Sequence, residues 1–66
     1  MKVFKNYRYI VRDASGVLAR LYRNASTDSM AKIRGKFLQM KYPFGTRVDI
    51  SRYDISIDRY VNFCTL

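Results

Sequence analysis

The chain has 66 residues, of which 48% are hydrophobic and 15% are aromatic, and its formal net charge at pH 7 is +8. This length predicts a single domain, residues 1–66, with one small core, and the apolar content argues against a disordered chain. No apolar run is long enough to span a membrane, and the N-terminus lacks the apolar centre of a signal peptide. We therefore expect a cytoplasmic protein that does not associate with membranes.

The residue types limit the chemistry that the chain can perform. There is one cysteine, Cys64, and no histidine, so an internal disulfide is impossible and a structural zinc site lacks its usual ligands. All five acidic residues are aspartates. Asp49, Asp54 and Asp58 form the one cluster that could hold Mg²⁺, but arginines alternate with them, which is more typical of paired surface charges. The sequence predicts no cofactor, no metal and no enzymatic activity.

The first third of the chain predicts a β-hairpin. Residues 3–12 and 17–24 are rich in β-branched and aromatic side chains, and a turn with Asp13 first and Gly16 last separates them. A three-residue loop with Gly16 in the left-handed conformation would place Asp13 opposite Val17.

This register sorts the hairpin side chains into two faces. One face is almost wholly apolar and should contact a helix: Tyr9, Val11, Ala19 and Leu21. The other face mixes basic, aromatic and aliphatic side chains: Phe4, Arg8, Ile10, Arg12, Leu18, Arg20 and Tyr22. A register shift of one residue would mix the two sets, so their separation supports the hairpin.

Residues 26–42 predict the one clear helix. Ser26 or Thr27 can cap its N-terminus, Asp28 suits the helix dipole, and Pro43 ends it. An apolar stripe at helical spacing is expected to pack on the sheet: Met30, Ile33, Phe37 and Met40. Gly35 lies outside this stripe and costs about 1 kcal/mol relative to alanine. Either a neighbour packs closely against it, or the glycine has no structural role.

The remainder of the chain predicts further strands. Residues 46–51 alternate, with Val48 and Ile50 on one side, and the apolar phase changes near Ser51 and Arg52, which favours a bulge or a tight turn. Another strand is expected at residues 53–58, and residues 60–65 continue it or pair at an edge. The predicted fold is α+β, with one helix on a small antiparallel sheet of four or five strands in the order β-β-α-β-β. The expected core comprises Tyr9, Val11, Ala19, Leu21, Met30, Ile33, Phe37, Met40, Val48, Ile50, Ile55 and Ile57.

The outer face of the hairpin is the strongest candidate for a binding surface. Guanidinium groups suit phosphate, and aromatic rings offer stacking platforms for unpaired bases. The candidate binding residues are Phe4, Arg8, Arg12, Arg20 and Tyr22 on the hairpin, with Lys32 and Lys36 on the helix. The other interpretations are a solvated face and a face covered by the C-terminal strands or by a second copy in a homodimer. Composition does not separate a DNA or RNA backbone from an acidic groove of a protein as the partner.

The middle of the chain resembles small phage-encoded proteins, including some anti-CRISPR inhibitors of type I interference complexes. The matching pieces are Ala25-Ser26, Ala31-Lys32 and the segment at residues 45–50, GTRVDI, with a β-hairpin before them and an aromatic, basic strand region after them. The resemblance covers about half of the chain and departs in the tail, which is rich in Arg-Tyr and Asp-Ile-Ser. It implies a non-enzymatic inhibitor that binds a nucleic-acid-handling assembly and blocks access to it.

Overall fold

The computed structural model describes residues 5–66 of the chain. Within this range, four strands form one antiparallel sheet and one helix covers a face of it. The elements are β1 (Lys5–Asp13), β2 (Gly16–Ala25), α1 (Asp28–Met40), β3 (Arg47–Asp54) and β4 (Arg59–Thr65), and the strand order across the sheet is β2-β1-β3-β4. The predicted α+β class and the order β-β-α-β-β are confirmed. No helix in residues 5–66 has the length and apolar character needed to cross a lipid bilayer.

The hairpin has the predicted register through most of its length. Tyr9 lies opposite Leu21 and Val11 lies opposite Ala19 in the antiparallel pair. These residues share the face under α1, where Tyr9 and Val11 are buried and Ala19 and Leu21 are partly buried. The separation of apolar and basic faces therefore follows from strand alternation, as the sequence predicts.

The turn of the hairpin differs from the prediction. Asp13 pairs with Gly16 rather than with Val17, and Leu18 is an extra residue in a bulge of β2. The Asp13 carboxylate accepts a hydrogen bond from the Ser15 backbone N–H at 2.7 Å, which closes a shorter loop. The bulge then restores the register beyond it.

The helix, Asp28–Met40, lies within the predicted range of residues 26–42, but it presents the opposite face to the sheet. The Thr27 hydroxyl caps it by accepting a hydrogen bond from the Met30 backbone N–H at 3.2 Å. Its buried residues are Ala31 and Gly35. The predicted core stripe is wrong, because those four side chains are exposed: Met30 41%, Ile33 47%, Phe37 62% and Met40 79%.

Close approach to the sheet explains this orientation. A Cβ atom at Gly35 would lie 2.5 Å from Cδ1 of Ile50 on β3, so the helix backbone rests directly on the sheet at this position. Glycine therefore has a packing role here, and small residues at 31 and 35 set the buried face.

Hydrogen bonds at the first turn of α1 hold the same orientation. The Tyr7 hydroxyl donates to Oδ1 of Asp28 at 2.5 Å, and Nη1 of Arg52 donates to Oδ2 of Asp28 at 2.8 Å. The bond from Tyr7 and the charge of Arg52 lower the pKa of the Asp28 carboxyl, although partial desolvation opposes them. Burial, and then the bond to Asp28, raise the pKa of Tyr7 to about 12. These contacts join β1, β3 and the N-terminus of α1.

The predicted strand at residues 53–58 is also wrong. β3 continues to Asp54, and the next four residues form a turn in which Ile55 and Ile57 are 85% and 49% exposed. The Asp54 carboxylate accepts hydrogen bonds from the backbone N–H and the hydroxyl of Ser56, which fixes the turn. Asp58 completes it with a left-handed φ of 51°.

The expected irregularity near Ser51 lies in the pairing of β3 with β4. Ile50 pairs with Cys64 and Ser51 pairs with Asn62, so Phe63 is the extra residue of a bulge. Phe63 packs edge-to-face on Tyr7, with the ring centroids 5.8 Å apart.

The core lies between α1 and the sheet. Its buried apolar residues are Tyr7, Tyr9, Val11, Ala25, Ala31, Val48 and Ile50. Four of these residues belong to the predicted core: Tyr9, Val11, Val48 and Ile50. Tyr7 is also fully buried. Strand alternation places it on the predicted helix-facing side of the hairpin, but it was not among the expected core residues. Two tyrosines and a phenylalanine from the sheet thus occupy the space in which large helix side chains were expected.

Candidate functional site

The face of the sheet opposite α1 carries most of the candidate binding residues. Tyr7, Tyr9 and Val11 point to the helix, so the alternate residues of β1 lie on the other face. Arg8 pairs with Tyr22 of β2 in this arrangement. We call this surface the arginine–tyrosine face; it comprises Arg8, Arg12, Arg20, Tyr22, Tyr53 and Tyr60.

Tyr60 is the centre of the arginine–tyrosine face. Its ring centroid lies 5.7 Å from that of Tyr22 and 5.4 Å from that of Tyr53, both in edge-to-face geometry. Cζ of Arg8 lies 5.1 Å from the same centroid, within the range of a cation–π interaction. The cluster therefore spans the sheet from β2 to β4. Sequence reasoning did not select Tyr53 and Tyr60, although the repeated Arg-Tyr pairs at 52–53 and 59–60 contain them.

The arginines on this face differ in how much of their charge is available to a ligand. Arg8 is half-buried, and its Nε atom has no hydrogen-bond partner among the described residues. Nε of Arg12 pairs with the Asp49 carboxylate at 2.7 Å. Arg20 is exposed and forms no ion pair within residues 5–66. Arg20 is thus the most accessible cation of the face, beside the half-exposed ring of Tyr22.

The structure does not bring all the predicted binding residues together. Lys32 and Lys36 lie on α1, which covers the other face of the sheet, so they are separated from the arginine–tyrosine face by the thickness of the domain. Both lysines are exposed. Phe4 lies outside the described residues. The predicted site is therefore divided between two sides of the molecule.

The solvent-facing side of α1 forms a second surface, the apolar helix stripe, which comprises Met30, Ile33, Phe37 and Met40. Basic residues border it on both sides. At 100° per residue, Lys32 and Lys36 follow one edge of the stripe, and Arg34 and Lys41 follow the other edge. Sequence reasoning found the stripe and expected it in the core. Its exposure makes it a candidate contact surface, because exposed apolar patches are typical of interaction sites.

A cleft of about 350 Å³ lies between α1 and the edge strand β2. Its lining comprises Tyr9, Leu21, Arg23, Arg34, Phe37, Leu38 and Lys41. The Tyr9 side chain is buried, and its hydroxyl has no hydrogen-bond partner within residues 5–66. Burial raises the pKa of Tyr9, while the positive charges of Arg34 and Arg23 act in the opposite direction. The hydroxyl therefore lies within the electrostatic influence of both guanidinium groups.

The aspartates that could have held Mg²⁺ have other partners. Asp49 pairs with Arg12 and accepts a hydrogen bond from the Thr65 hydroxyl at 2.8 Å. Asp54 accepts the two hydrogen bonds from Ser56, and Asp58 accepts one from the Tyr53 hydroxyl. Among residues 5–66, no three acidic or cysteine side chains come together in a group that could hold a metal ion.

Two exposed surfaces thus lie on opposite sides of the protein, one aromatic and basic, the other apolar with basic edges. Comparisons of the chain with protein-family models, with curated proteins and with solved structures gave no match. What these surfaces bind is therefore inferred from their chemistry.

Proposed function

We propose that this protein is a small, non-enzymatic binding protein of a phage or mobile element. It inhibits a nucleic-acid-handling complex of the host cell, such as a CRISPR interference complex, by stoichiometric binding in the cytoplasm. One observation carries the proposal: four large apolar side chains of α1 face solvent, although the helix has a second face that packs on the sheet. Aliphatic and aromatic side chains grouped in this way suit a groove on a partner protein.

The charge distribution supports a target that contains nucleic acid. Basic residues border the apolar helix stripe, and the net charge is +8, so acidic surfaces and polyanions attract the protein over long distances. The arginine–tyrosine face remains exposed when a partner covers α1. A nucleoprotein complex offers both kinds of contact, with a protein groove for the stripe and a nucleic-acid strand for the opposite face.

Capture from the host, followed by inhibition of the purified complex, tests this proposal. The variant Ile33→Ser/Phe37→Ser removes the centre of the stripe, and Arg20→Ala/Tyr22→Ala serves as the matched pair on the opposite face. We expect the wild type to capture a complex in a nuclease-resistant manner and to inhibit it at one copy per complex. The stripe variant should lose both properties while its circular dichroism spectrum stays native. Capture that disappears with nuclease for every variant would contradict the proposal.

Direct binding of DNA or RNA through the arginine–tyrosine face is the second candidate function. It is favoured by the cluster in which Tyr22 and Arg8 surround the Tyr60 ring, next to the exposed Arg20. Stacking of a base on an aromatic side chain contributes about 1–3 kcal/mol. Each phosphate contact on a single strand contributes about −0.7 to the slope of log K against log salt concentration.

A salt titration with single-stranded oligonucleotides tests the second candidate. Arg20→Gln should reduce the slope by about 0.7, and Tyr22→Ala should weaken binding by about tenfold or more at constant slope. Lys36→Gln removes one charge from the opposite side of the domain and serves as the control. Equal losses for Arg20→Gln and Lys36→Gln would show that the protein binds nucleic acid only through its overall charge.

A further inference from the structure

We infer that the cleft between α1 and β2 binds an acidic peptide segment of the partner protein, in which a carboxylate stands beside an aromatic or aliphatic side chain. This inference rests on the proposed function and names the chemistry that the partner presents. One wall of the cleft comes from α1 and the other comes from the sheet, so a segment bound there would contact both layers of the domain.

The cleft is built for an anion. Three cationic side chains line it, Arg23, Arg34 and Lys41, and no acidic side chain among the described residues does so. Nη1 of Arg34 donates to the Asn24 carbonyl oxygen, and Nη1 of Arg23 donates to the Tyr22 carbonyl oxygen at 2.8 Å. These bonds orient the guanidinium groups and leave most of their donors available, because each arginine has five N–H groups. A carboxylate matches such donors in a bidentate manner.

The Tyr9 hydroxyl provides an independent indication of a ligand. Tyr9 is only 2% exposed, and its hydroxyl lacks a hydrogen-bond partner within residues 5–66. A buried hydroxyl without a partner is unfavourable, and native structures usually satisfy such groups. Tyr9 lines the cleft, so a small outward shift of its ring on binding would let the hydroxyl donate a hydrogen bond to a carboxylate held by Arg34 and Arg23.

The apolar walls favour a peptide over a nucleic acid. Leu21, Phe37 and Leu38 line the cleft, and Phe37 also belongs to the apolar helix stripe. A segment that leaves the cleft therefore continues along a surface without charges at its centre. This pattern matches an acidic residue followed by apolar residues, whereas a nucleic-acid strand carries a charge at every phosphate.

A second copy of the chain is a less favourable occupant, because two molecules with a net charge of +8 repel each other. The chain nevertheless has one segment with matching chemistry among its described residues. The turn at residues 54–58 exposes Ile55 and Ile57 between Asp54 and Asp58. Insertion of this turn into the cleft of another copy would be a heterologous contact, and the test below detects it.

The test is a titration of the isotope-labelled full chain, followed by amide chemical shifts. The probe is the blocked tetrapeptide Asp-Leu-Phe-Asp. One control peptide carries asparagine at both acidic positions, and another carries serine at both apolar positions. We expect the probe to shift the signals of Leu21, Phe37 and Leu38. Each control peptide should bind at least about tenfold more weakly, because the asparagine peptide loses charge-assisted hydrogen bonds and the serine peptide loses the burial of two large apolar side chains. Inorganic phosphate should not displace the probe at equal concentration.

Variants of the protein locate the site. Arg34→Gln should weaken binding of the probe by about tenfold and Tyr9→Phe by about fivefold, since they remove a charged and a neutral donor, respectively. Arg59→Gln is the matched control, because Arg59 is exposed at the start of β4, on the edge of the sheet opposite β2, and this variant should leave the affinity unchanged. If Arg59→Gln weakens binding as much as Arg34→Gln does, the attraction is nonspecific and the inference is wrong.

Other outcomes also overturn the inference. The inference is wrong if the probe shifts no amide signals at tens of millimolar, or if the asparagine peptide binds as tightly as the probe does. It is also wrong if phosphate displaces the probe, or if the free protein self-associates and Arg34→Gln abolishes that self-association. The experiments also distinguish a wrong inference about the cleft from a wrong proposed function. If the stripe variant loses capture of the host complex while the probe does not bind, the proposed function stands without this cleft. If the probe binds but the protein captures no complex in a nuclease-resistant manner, the cleft binds an acidic peptide and the proposed function fails.

Discussion

Replacement of Gly35 by alanine should destabilise the protein, although the same change stabilises an exposed helix. The alanine Cβ would lie 2.5 Å from Cδ1 of Ile50 and 3.0 Å from Cδ1 of Leu66. Ile50 is fully buried, so its side chain has little room to move. Overpacking of this kind costs about 1–3 kcal/mol, and the better helix propensity of alanine offsets about 1 kcal/mol. The net loss of unfolding free energy is therefore about 0–2 kcal/mol.

A double-mutant cycle measured by urea denaturation makes this prediction sharp. Ile50→Val removes Cδ1 and costs about 0.5–1.5 kcal/mol by itself. In that background the closest contacts of the added Cβ are Cδ1 of the partly buried Leu66 at 3.0 Å and Cγ1 of residue 50 at 3.3 Å. Gly35→Ala should therefore cost less than it does in the wild type and become close to neutral. The coupling energy between the two sites should be about 1 kcal/mol or more. A gain of about 1 kcal/mol for Gly35→Ala in the wild type, with no coupling, would show that another face of α1 meets the sheet.

Because the stripe faces solvent, Ile33→Ser and Phe37→Ser should each change the unfolding free energy by less than about 1 kcal/mol. Losses of about 2–5 kcal/mol in urea titrations would show instead that these side chains lie in the core. The lowered pKa of Asp28 means that its carboxyl group binds a proton less readily in the folded state than in the unfolded state. The stability that this group contributes is therefore present above pH 3.8, the usual pKa, and is lost as the pH falls through the pKa of the folded state. The stability difference between wild type and Asp28→Asn should accordingly shrink in acid, and a difference that does not change with pH would contradict the link to Tyr7 and Arg52. For Tyr7, whose pKa rises from 10.0 to about 12, the contribution is present below pH 10 and is lost as the pH rises through the folded value. Tyrosinate absorbance should contain a component near pH 12 that Tyr7→Phe removes, provided that the protein is still folded by circular dichroism.

The parts of the fold that follow from local patterns were predictable from the sequence. Strand alternation placed Val11 and Tyr9 on one face and Arg8 on the other, because each residue of a strand determines the side of the next. Turn and cap residues acted in the same local manner, as Thr27 shows at the start of α1. The prediction of the hairpin loop was wrong by one residue. The hydrogen bond from the Ser15 backbone N–H to the Asp13 carboxylate stabilises a loop that is shorter than the position of Gly16 predicts.

The orientation of α1 was not predictable from the spacing of its apolar residues. Spacing shows which side chains share a helix face, whereas the space beneath the helix decides which face packs on the sheet. That space is filled by Tyr7 and Tyr9 from β1, so the helix contributes Ala31 and Gly35 instead of large side chains. The isolated glycine was the signal of this arrangement in the sequence.

The candidate site was predictable only where it depends on strand alternation. Arg20 and Tyr22 lie on the expected face, but the approach of Tyr60 from β4 to Tyr22 on β2 depends on the shape of the whole sheet. Ile55 and Ile57 show the opposite error. Their alternation favours a strand, yet hydrogen bonds from Ser56 to Asp54 turn the chain at this point.

The side chains that fill the core determine which side chains are left for the proposed binding surface. A chain of this length forms one small core, in which it buries only about 60% of the surface that it exposes when unfolded. The space under α1 therefore admits only one set of large side chains. The rings of Tyr7 and Tyr9 occupy that space, and Phe37 and its neighbours of the stripe are left outside. The side chains of the proposed binding surface on α1 are thus those that the fold does not use in its core. Substitutions in the stripe should therefore separate binding from stability, whereas substitutions at Gly35 should change both.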